Sequence, residues 1–534
     1  MPRDLCSWVR FALVAAAVVL GIHVRIRGLA DLPLFGDEHH TLLAADSSLA
    51  SILTTFDLVG SHVPLPLLQH LSLDLFGPGV VPFRLVAIVP GVLTLVLAYP
   101  LLARFVERDA AALATFWIAL NPMVVYYARF ARGYALALFL ALVLGWALQT
   151  LLESDERPRR AWWALVLTAA LLPWVHLSTL GFVAAMGLAA IARAARRSRE
   201  LAFRMTGALA AAAVIAVLLF VPVMGQVLRY FREMEPEPDP ESWFGIPTLL
   251  AGGPAAAAIA LVALPASLVL SWRDRRAAVL LTLAAVLGPF ALLLVTRPRG
   301  MDYAWARYVL SALPFCAAFV AQGFVALGSR LPRALGGPLV LALGALLGVV
   351  QLARGPLCDD ARFSNSYLAM QRLAAFDEPF PETPEFYRRL AEDPRPARIV
   401  ESPPIYTRGL LLYRNYALQH GREVLVGWTG ELPRGVRSYP YVRLLEVEPG
   451  QADYIVLHRD QFDEVMRYFR FVFEEAWPRL RNRWDDTLMR RQETVHSDSL
   501  LRPDKTDPIA SRLRDRYGQA YYKDDQILVW KLTP

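Results

Sequence analysis

Stretches of about twenty apolar residues, separated by short Arg-bearing segments, recur from the N-terminus to about residue 353, and nothing else constrains this chain as tightly. A run of that length matches an α-helix crossing the hydrocarbon of a bilayer, and only helices or closed barrels satisfy their backbone there. The chain is therefore expected to be a polytopic α-helical membrane protein, in keeping with 55% apolar residues and a mean hydropathy of +0.36. A net charge of +7 does not point to nucleic acid. The Arg residues sit in short loops between apolar runs, where they set orientation by staying in the cytoplasm.

Placing those Arg clusters inside orders the spans. Trp8 to about Val24 is the first, and Arg25 and Arg27 ahead of Gly28 and Ala30 favour an uncleaved anchor over a signal peptide. Val80 to Leu102, Ala110 to Tyr126 and Gly133 to Leu152 follow. Ala161 to about Ala192 is too long for one crossing and carries Pro173 and His176 at its middle, so it is expected to be a hairpin with its apex outside. Ala202 to Val221, Thr248 to Leu270, Val279 to Val295, Ala304 to Leu327 and Leu335 to Val350 complete about eleven spans. An odd number puts the tail beyond about Gly355 on the side opposite the cytoplasm. Thr41 to Leu53 and Leu67 to Phe76, short and amphipathic, are expected to lie in the interface. Gly225 to Gly245 reads as a polar loop.

This divides the chain into a transmembrane part, 1–354, whose first outer loop is 28–79, and a soluble part, 355–534. In the soluble part β-type runs at Ala397–Val400, Glu423–Gly427, Ala452–Leu457 and Gln526–Leu532 alternate with helix-like stretches such as Phe462–Phe471, which suggests one small extracytoplasmic α/β domain. It carries no glycine-rich phosphate fingerprint. The three cysteines, Cys6, Cys316 and Cys358, form no CxxC pair and fall at different depths, so no structural disulfide is expected.

Against this apolar background polar residues stand out, because each must be solvated, paired or used. Just past the first span, Pro33-Leu-Phe-Gly-Asp37-Glu38-His39-His40 places two carboxylates beside the membrane. Asp37 reads as a catalytic base and Glu38 as its support; a water-facing acid pair at a helix N-terminus is the plainer alternative. The same orientation puts His62, Arg84, Arg129, Arg132, His176, Arg297, Arg299 and Arg307 at the outer face, pointing to one polar cavity closed in part by the Gly225–Gly245 loop. Guanidinium groups at that depth suit a lipid phosphate, with Arg132, Arg307 and Arg129 as the candidates to hold it. A phosphate leaving group needs no separate acid when Arg stabilises its charge, which leaves a carboxylate to take the acceptor's proton. A divalent metal on Asp37, His39 and His40 is the one cofactor to weigh, and adjacent histidines share a helix face poorly.

These residues also carry a resemblance. The acid pair after the first span, His62-Val-Pro64-Leu-Pro66-Leu, Phe76-Gly77, Phe83-Arg84-Leu85, Asn121-Pro122 followed by Tyr127-Ala-Arg129-Phe-Ala-Arg132-Gly-Tyr134, and Arg307-Tyr308 ahead of Pro314 occur in an order that resembles the GT-C glycosyltransferases. That superfamily holds the protein O-mannosyltransferases, the lipid A aminoarabinose transferases and the rhizobial galacturonosyltransferase-like proteins. The resemblance covers about residues 8–330. It implies an inverting transfer of a sugar from a polyprenyl phosphate to a lipid, polysaccharide or protein acceptor, by a multi-pass inner-membrane enzyme whose active site faces the periplasm. The family's first-loop acid falls on Asp37 and its helix-exit motif on Arg132 and Tyr134, while Trp174-Val-His176-Leu-Ser-Thr-Leu-Gly181 is similar to a histidine-bearing hairpin. The family's consecutive prolines are split here by Leu65. An oligosaccharide ligase or polymerase, and a lipid-linked-sugar transporter, are the alternative functions. Against transport, the costly residues gather at one face and the halves show no repeat.

Overall fold

A computed structural model describes residues 2–30, 37–56, 62–156, 158–233, 242–296, 302–328, 336–353, 383–402, 416–417, 420–428, 441–458 and 506–532. Cys358, Arg297, Arg299 and the helix expected over Phe462–Phe471 lie outside these residues, as do the side chains of Asp37, His39 and His40.

The helices follow the apolar runs. They are α1 (Pro2–Ile26), α2 (Asp37–Ala45), α3 (Leu49–Thr54), α4 (Pro64–Phe76), α5 (Val80–Leu102), α6 (Arg108–Leu120), α7 (Pro122–Arg129), α8 (Tyr134–Glu153), α9 (Arg159–Val175), α10 (Thr179–Ala195), α11 (Arg199–Phe220), α12 (Met224–Glu233), α13 (Ser242–Ala251), α14 (Pro254–Ser271), α15 (Arg276–Thr296), α16 (Asp302–Tyr308), α17 (Leu313–Gly328) and α18 (Gly336–Ala353). Seven are long and apolar enough to cross a membrane, or eight if the bent pair α6–α7 is one span. The chain is a multi-pass membrane protein. Length alone thus gives fewer crossings than the expected eleven or so, although every expected span falls on a helix or helix pair. The shortfall lies in α9 and α10, 17 residues each, and in the apolar but short Gly337–Ala353 of α18.

Breaks come where the backbone demands them. The span expected over Ala110–Tyr126 bends by 54°. Pro122 has no N–H to continue α6, and Asn121 ahead of it is extended; its Oδ1 accepts from Met123 N and Val124 N at 3.0 and 3.2 Å, capping α7. The amphipathic segment Thr41–Leu53 is likewise two helices. Ser48 restarts the chain as the N-cap of α3, its Oγ accepting from Ser51 N. The expected polar loop Gly225–Gly245 is partly helical, because Met224, Val227, Leu228 and Phe231 repeat at helical spacing within α12. At α10 and α15 the backbones meet through glycine: a Cβ on Gly181 would lie 2.4 Å from Gly288 O, and one on Gly288 2.2 Å from Gly181 O.

The tail contains α19 (Glu385–Glu392), α20 (Thr506–Tyr517) and strands β1 (Arg398–Ser402), β2 (Glu423–Trp428), β3 (Tyr441–Arg443), β4 (Tyr454–His458), β5 (Tyr522–Lys523) and β6 (Ile527–Lys531). The order is β3-β2-β1-β4-β6-β5, with β3, β2, β1 and β4 parallel and β6 and β5 antiparallel. Val400, Leu425, Ile455 and Leu457 pack with Ile509 and Leu513 of α20. Tyr387 of α19 is buried with Glu401 and His458, the latter two at the carboxyl ends of β1 and β4.

Candidate active site

Four of the segments that the sequence marks as polar meet around one cavity of about 150 Å³. Its lining includes His62 ahead of α4, Arg132 and Tyr134 at the start of α8, His176 at the α9–α10 turn, and Arg307 with Tyr308 at the end of α16. Five expected site residues, His62, Arg132, Tyr134, His176 and Arg307, therefore share one space. No Asp or Glu is among the lining residues described. Two guanidinium groups with no lining carboxylate make the cavity a place for an anion.

The imidazoles are held in register. His176 Nδ1 lies 3.3 Å from Ser178 N and 2.8 Å from Ser178 Oγ. The backbone N–H can only donate, so neutral His176 carries its proton on Nε2, which donates to Tyr134 Oη at 3.1 Å. The Tyr134 hydroxyl then keeps its own proton for another acceptor. His62 Nε2 accepts from Leu177 N at 3.0 Å, and its ring stacks on His176 with centroids 4.8 Å apart. Arg307 lies over the rings of Tyr134 and Tyr308 at 5.4 and 5.1 Å, and donates to Tyr308 Oη at 3.2 Å. Stacking on two rings fixes the plane of the guanidinium, which directs its remaining donors.

Glu38 does not line this cavity. It is fully buried and takes both Arg84 donors, Nε at 2.9 Å and Nη2 at 2.8 Å, as well as Ala131 N at 2.8 Å. Arg84 in turn donates to Leu29 O at 3.1 Å, and Gln69 Nε2 to Ala131 O at 3.1 Å. The pair thus ties the first turn of α2 to α5 and to the residue before Arg132. Asp37, the first residue of α2, is placed by this clamp.

Arg129 lies apart from the other candidates. Expected on a donor phosphate, it is fully buried away from the cavity lining, and its Nη1 donates to Val24 O at 2.8 Å and Arg27 O at 2.7 Å. Those carbonyls belong to the end of α1, whose last turns have no helical donors of their own. Arg25 does a similar thing, donating to Gly21 O and Ala119 O at 2.7 and 2.9 Å. Carbonyl clamping and phosphate binding use the same residue type, so sequence cannot separate them.

The cavity also has walls that the sequence reading missed. Phe56, Tyr230 and Phe231 close one side, the last two from α12, which takes the place of the expected loop. Gln226 of the same helix accepts from Phe56 N at 2.6 Å and donates to Thr54 O at 2.7 Å. Among the described residues no group of three His, Cys, Asp or Glu is arranged to hold a metal.

A second, apolar cavity of about 280 Å³ lies between α6, α13, α14, α15, α17 and α18. Val309, Ala312 and Leu313 line it, while Arg307 and Tyr308 line the polar one, so the segment 307–313 separates the two.

ArnT from Cupriavidus metallidurans in the apo state superimposes with a TM-score of 0.55 at 13% identity, covering 87% of this chain and 95% of that one. The chain has the GT-C fold. ArnT from the same organism bound to undecaprenyl phosphate gives 0.55 at 14% identity, over 86% and 95% of the two chains. The Archaeoglobus fulgidus oligosaccharyltransferase, in complex with Zn and sulfate, reaches 0.45 at 13% identity, over 84% and 68%. No protein-family model and no curated protein matches this chain.

Proposed function

We propose that this GT-C protein transfers a sugar from a polyprenyl-phosphate donor to an acceptor outside the cytoplasm, with inversion at the anomeric carbon. The observation that carries the reading is the convergence of Arg132, Arg307, His176 and Tyr134 on a cavity with no described carboxylate lining. ArnT, the similar fold, has been seen with undecaprenyl phosphate. The neighbouring apolar cavity suits the chain of such a lipid, and the segment 307–313 would then lie between chain and phosphate.

In the proposed reaction Asp37 takes the proton of the acceptor hydroxyl as its oxygen attacks the anomeric carbon from the face opposite the phosphate. The carbon–oxygen bond to phosphate breaks, and the electron pair leaves on a phosphate whose added charge Arg132 and Arg307 stabilise. Tyr134, oriented by His176, donates to a phosphate or sugar oxygen. Glu38 and Arg84 hold Asp37 and Arg132 in place. Arg129 belongs to the scaffold. The site and the tail would face the periplasm or its equivalent, across an inner membrane.

The test is transfer of labelled sugar from a panel of polyprenyl-phosphate sugars by the purified protein, beside Asp37→Asn. One donor should be consumed by the parent protein and not by the variant. Turnover by Asp37→Asn at the parent rate would sink the assignment of the base. If no donor is consumed although the lipid binds, transport takes the place of transfer.

A further inference from the structure

At the opposite end of the bundle from the candidate site lies an open cavity of about 430 Å³ that the proposed reaction does not use. Arg10 of α1, Glu107, Arg108 and Asp109 at the start of α6, and Arg275 just ahead of α15 line it. We propose that it holds the phosphate-bearing headgroup of an anionic membrane lipid.

Charge is the first argument. Arg10 and Asp109 pair at 3.3 Å and largely cancel. Arg108 and Arg275 then face Glu107 in the lining, and Glu153, within electrostatic reach of Arg275, is matched by Arg104, which leaves the cavity positive. Two helix starts add to this. The first backbone bonds of α6 and α15 are Ala111 N to Glu107 O and Val279 N to Arg275 O, so the N–H groups ahead of them have no helical acceptor. Each start contributes roughly half a positive charge. The N-cap Glu107 makes no side-chain cap and gives its own N–H to Gln322 Oε1 at 2.9 Å.

Depth is the second argument, and it selects a lipid over a soluble anion. Trp8 and Phe11, on either side of Arg10 in α1, are 70% and 67% exposed, with rings in edge contact at 6.4 Å. Aromatic side chains exposed at the end of a spanning helix belong at headgroup level. An anion held by Arg108 and Arg275 beside the Arg10–Asp109 pair would sit at that level, with its acyl chains beside the bundle. The headgroup then joins the starts of α6 and α15 next to α1.

The experiment measures thermal unfolding of the full-length protein in detergent with phosphatidylglycerol, phosphatidylcholine or inorganic phosphate added. Phosphatidylglycerol should raise the midpoint in a saturable way and phosphatidylcholine should not. In Arg108→Gln/Arg275→Gln the apparent affinity for phosphatidylglycerol should fall roughly 30-fold, from about fivefold per guanidinium. Glu107→Gln should tighten binding by about fivefold, which keeps the test usable if the double variant does not fold. Equal shifts with the two lipids, or an unchanged Glu107→Gln, would overturn the proposal. Inorganic phosphate acting as well as phosphatidylglycerol would overturn the lipid assignment. Because the cavity lies apart from the candidate active site, neither result bears on sugar transfer.

Discussion

Among the described residues two carboxylates are fully buried, and they are neutralised in different ways. Glu38, in the bundle, takes two donors from Arg84 and one backbone N–H. Glu401, in the tail, takes the Tyr387 hydroxyl at 2.7 and 2.9 Å to its two oxygens and lies 2.7 Å from His458 Nε2. The first partner is a permanent cation, and the second pair is a phenol and a titratable ring. Their reach differs too. Glu38 bridges α2, α5 and the turn before α8, whereas Glu401 joins α19 to two adjacent strands of one sheet. The buried pair of the bundle therefore bears on the candidate site, and the buried cluster of the tail on internal cohesion.

The largest effect is expected from splitting the bundle pair. Arg84→Met leaves Glu38 buried without its cation and should cost roughly 3–5 kcal/mol. Transfer activity should fall with it, since Asp37 and Arg132 are both held through Glu38. The double variant Glu38→Gln/Arg84→Met should recover part of that stability, because no unpaired charge remains. Unfolding of the two variants in detergent measures this; equal losses would mean that the pair does not act as a unit.

A smaller effect is expected in the tail. Tyr387→Phe removes the hydroxyl donated to Glu401 while keeping the ring stacked on Tyr416 at 4.5 Å. The loss should be about 1.5–3 kcal/mol, the worth of hydrogen bonds to a charged group. A loss below about 0.5 kcal/mol would assign the buried polar cluster to packing alone.

The difference between the two regions also governs what was legible in the sequence. In an apolar chain every charged or imidazole side chain is costly, so His62, Arg132, His176 and Arg307 could be picked out by their position near span ends, Tyr134 came through the resemblance, and all five line the cavity. Phe56, Tyr230 and Phe231 could not, because an aromatic ring near a bilayer carries no such cost. Nor could the fate of Arg129, since a guanidinium that clamps carbonyls reads like one that awaits a phosphate. In the tail, the runs at 397–400, 423–427, 452–457 and 526–532 coincide with β1, β2, β4 and β6 because these strands are apolar enough to be buried. The edge strands β3 and β5, three and two residues long, carry too little pattern to be seen. Glu401 and His458 were missed for a related reason: among the many charged residues of the tail, a buried pair has no contrast.

The smallest expected effect would sharpen the comparison through protons. His420, stacked on Tyr387 at 5.4 Å, is held from the ordinary histidine value of 6.5 down to about 3 by burial, with Arg422 adding to the shift. Its folded form stays neutral where the unfolded form binds a proton, so the unfolded state takes up more protons between pH 6.5 and 3. Stability is then complete above the unfolded value and is lost progressively as pH falls toward the folded one. One unit below the unfolded value the loss is about 1.4 kcal/mol. In His420→Asn the amide oxygen can take over the bond that Nδ1 accepts from Arg422 N at 3.1 Å, while nothing titrates. The stability difference between pH 7.5 and 5.5 should therefore shrink by about 1.4 kcal/mol in this variant, read by denaturant unfolding of the full chain. An unchanged pH slope in His420→Asn would show that His420 does not carry the acid sensitivity of the tail.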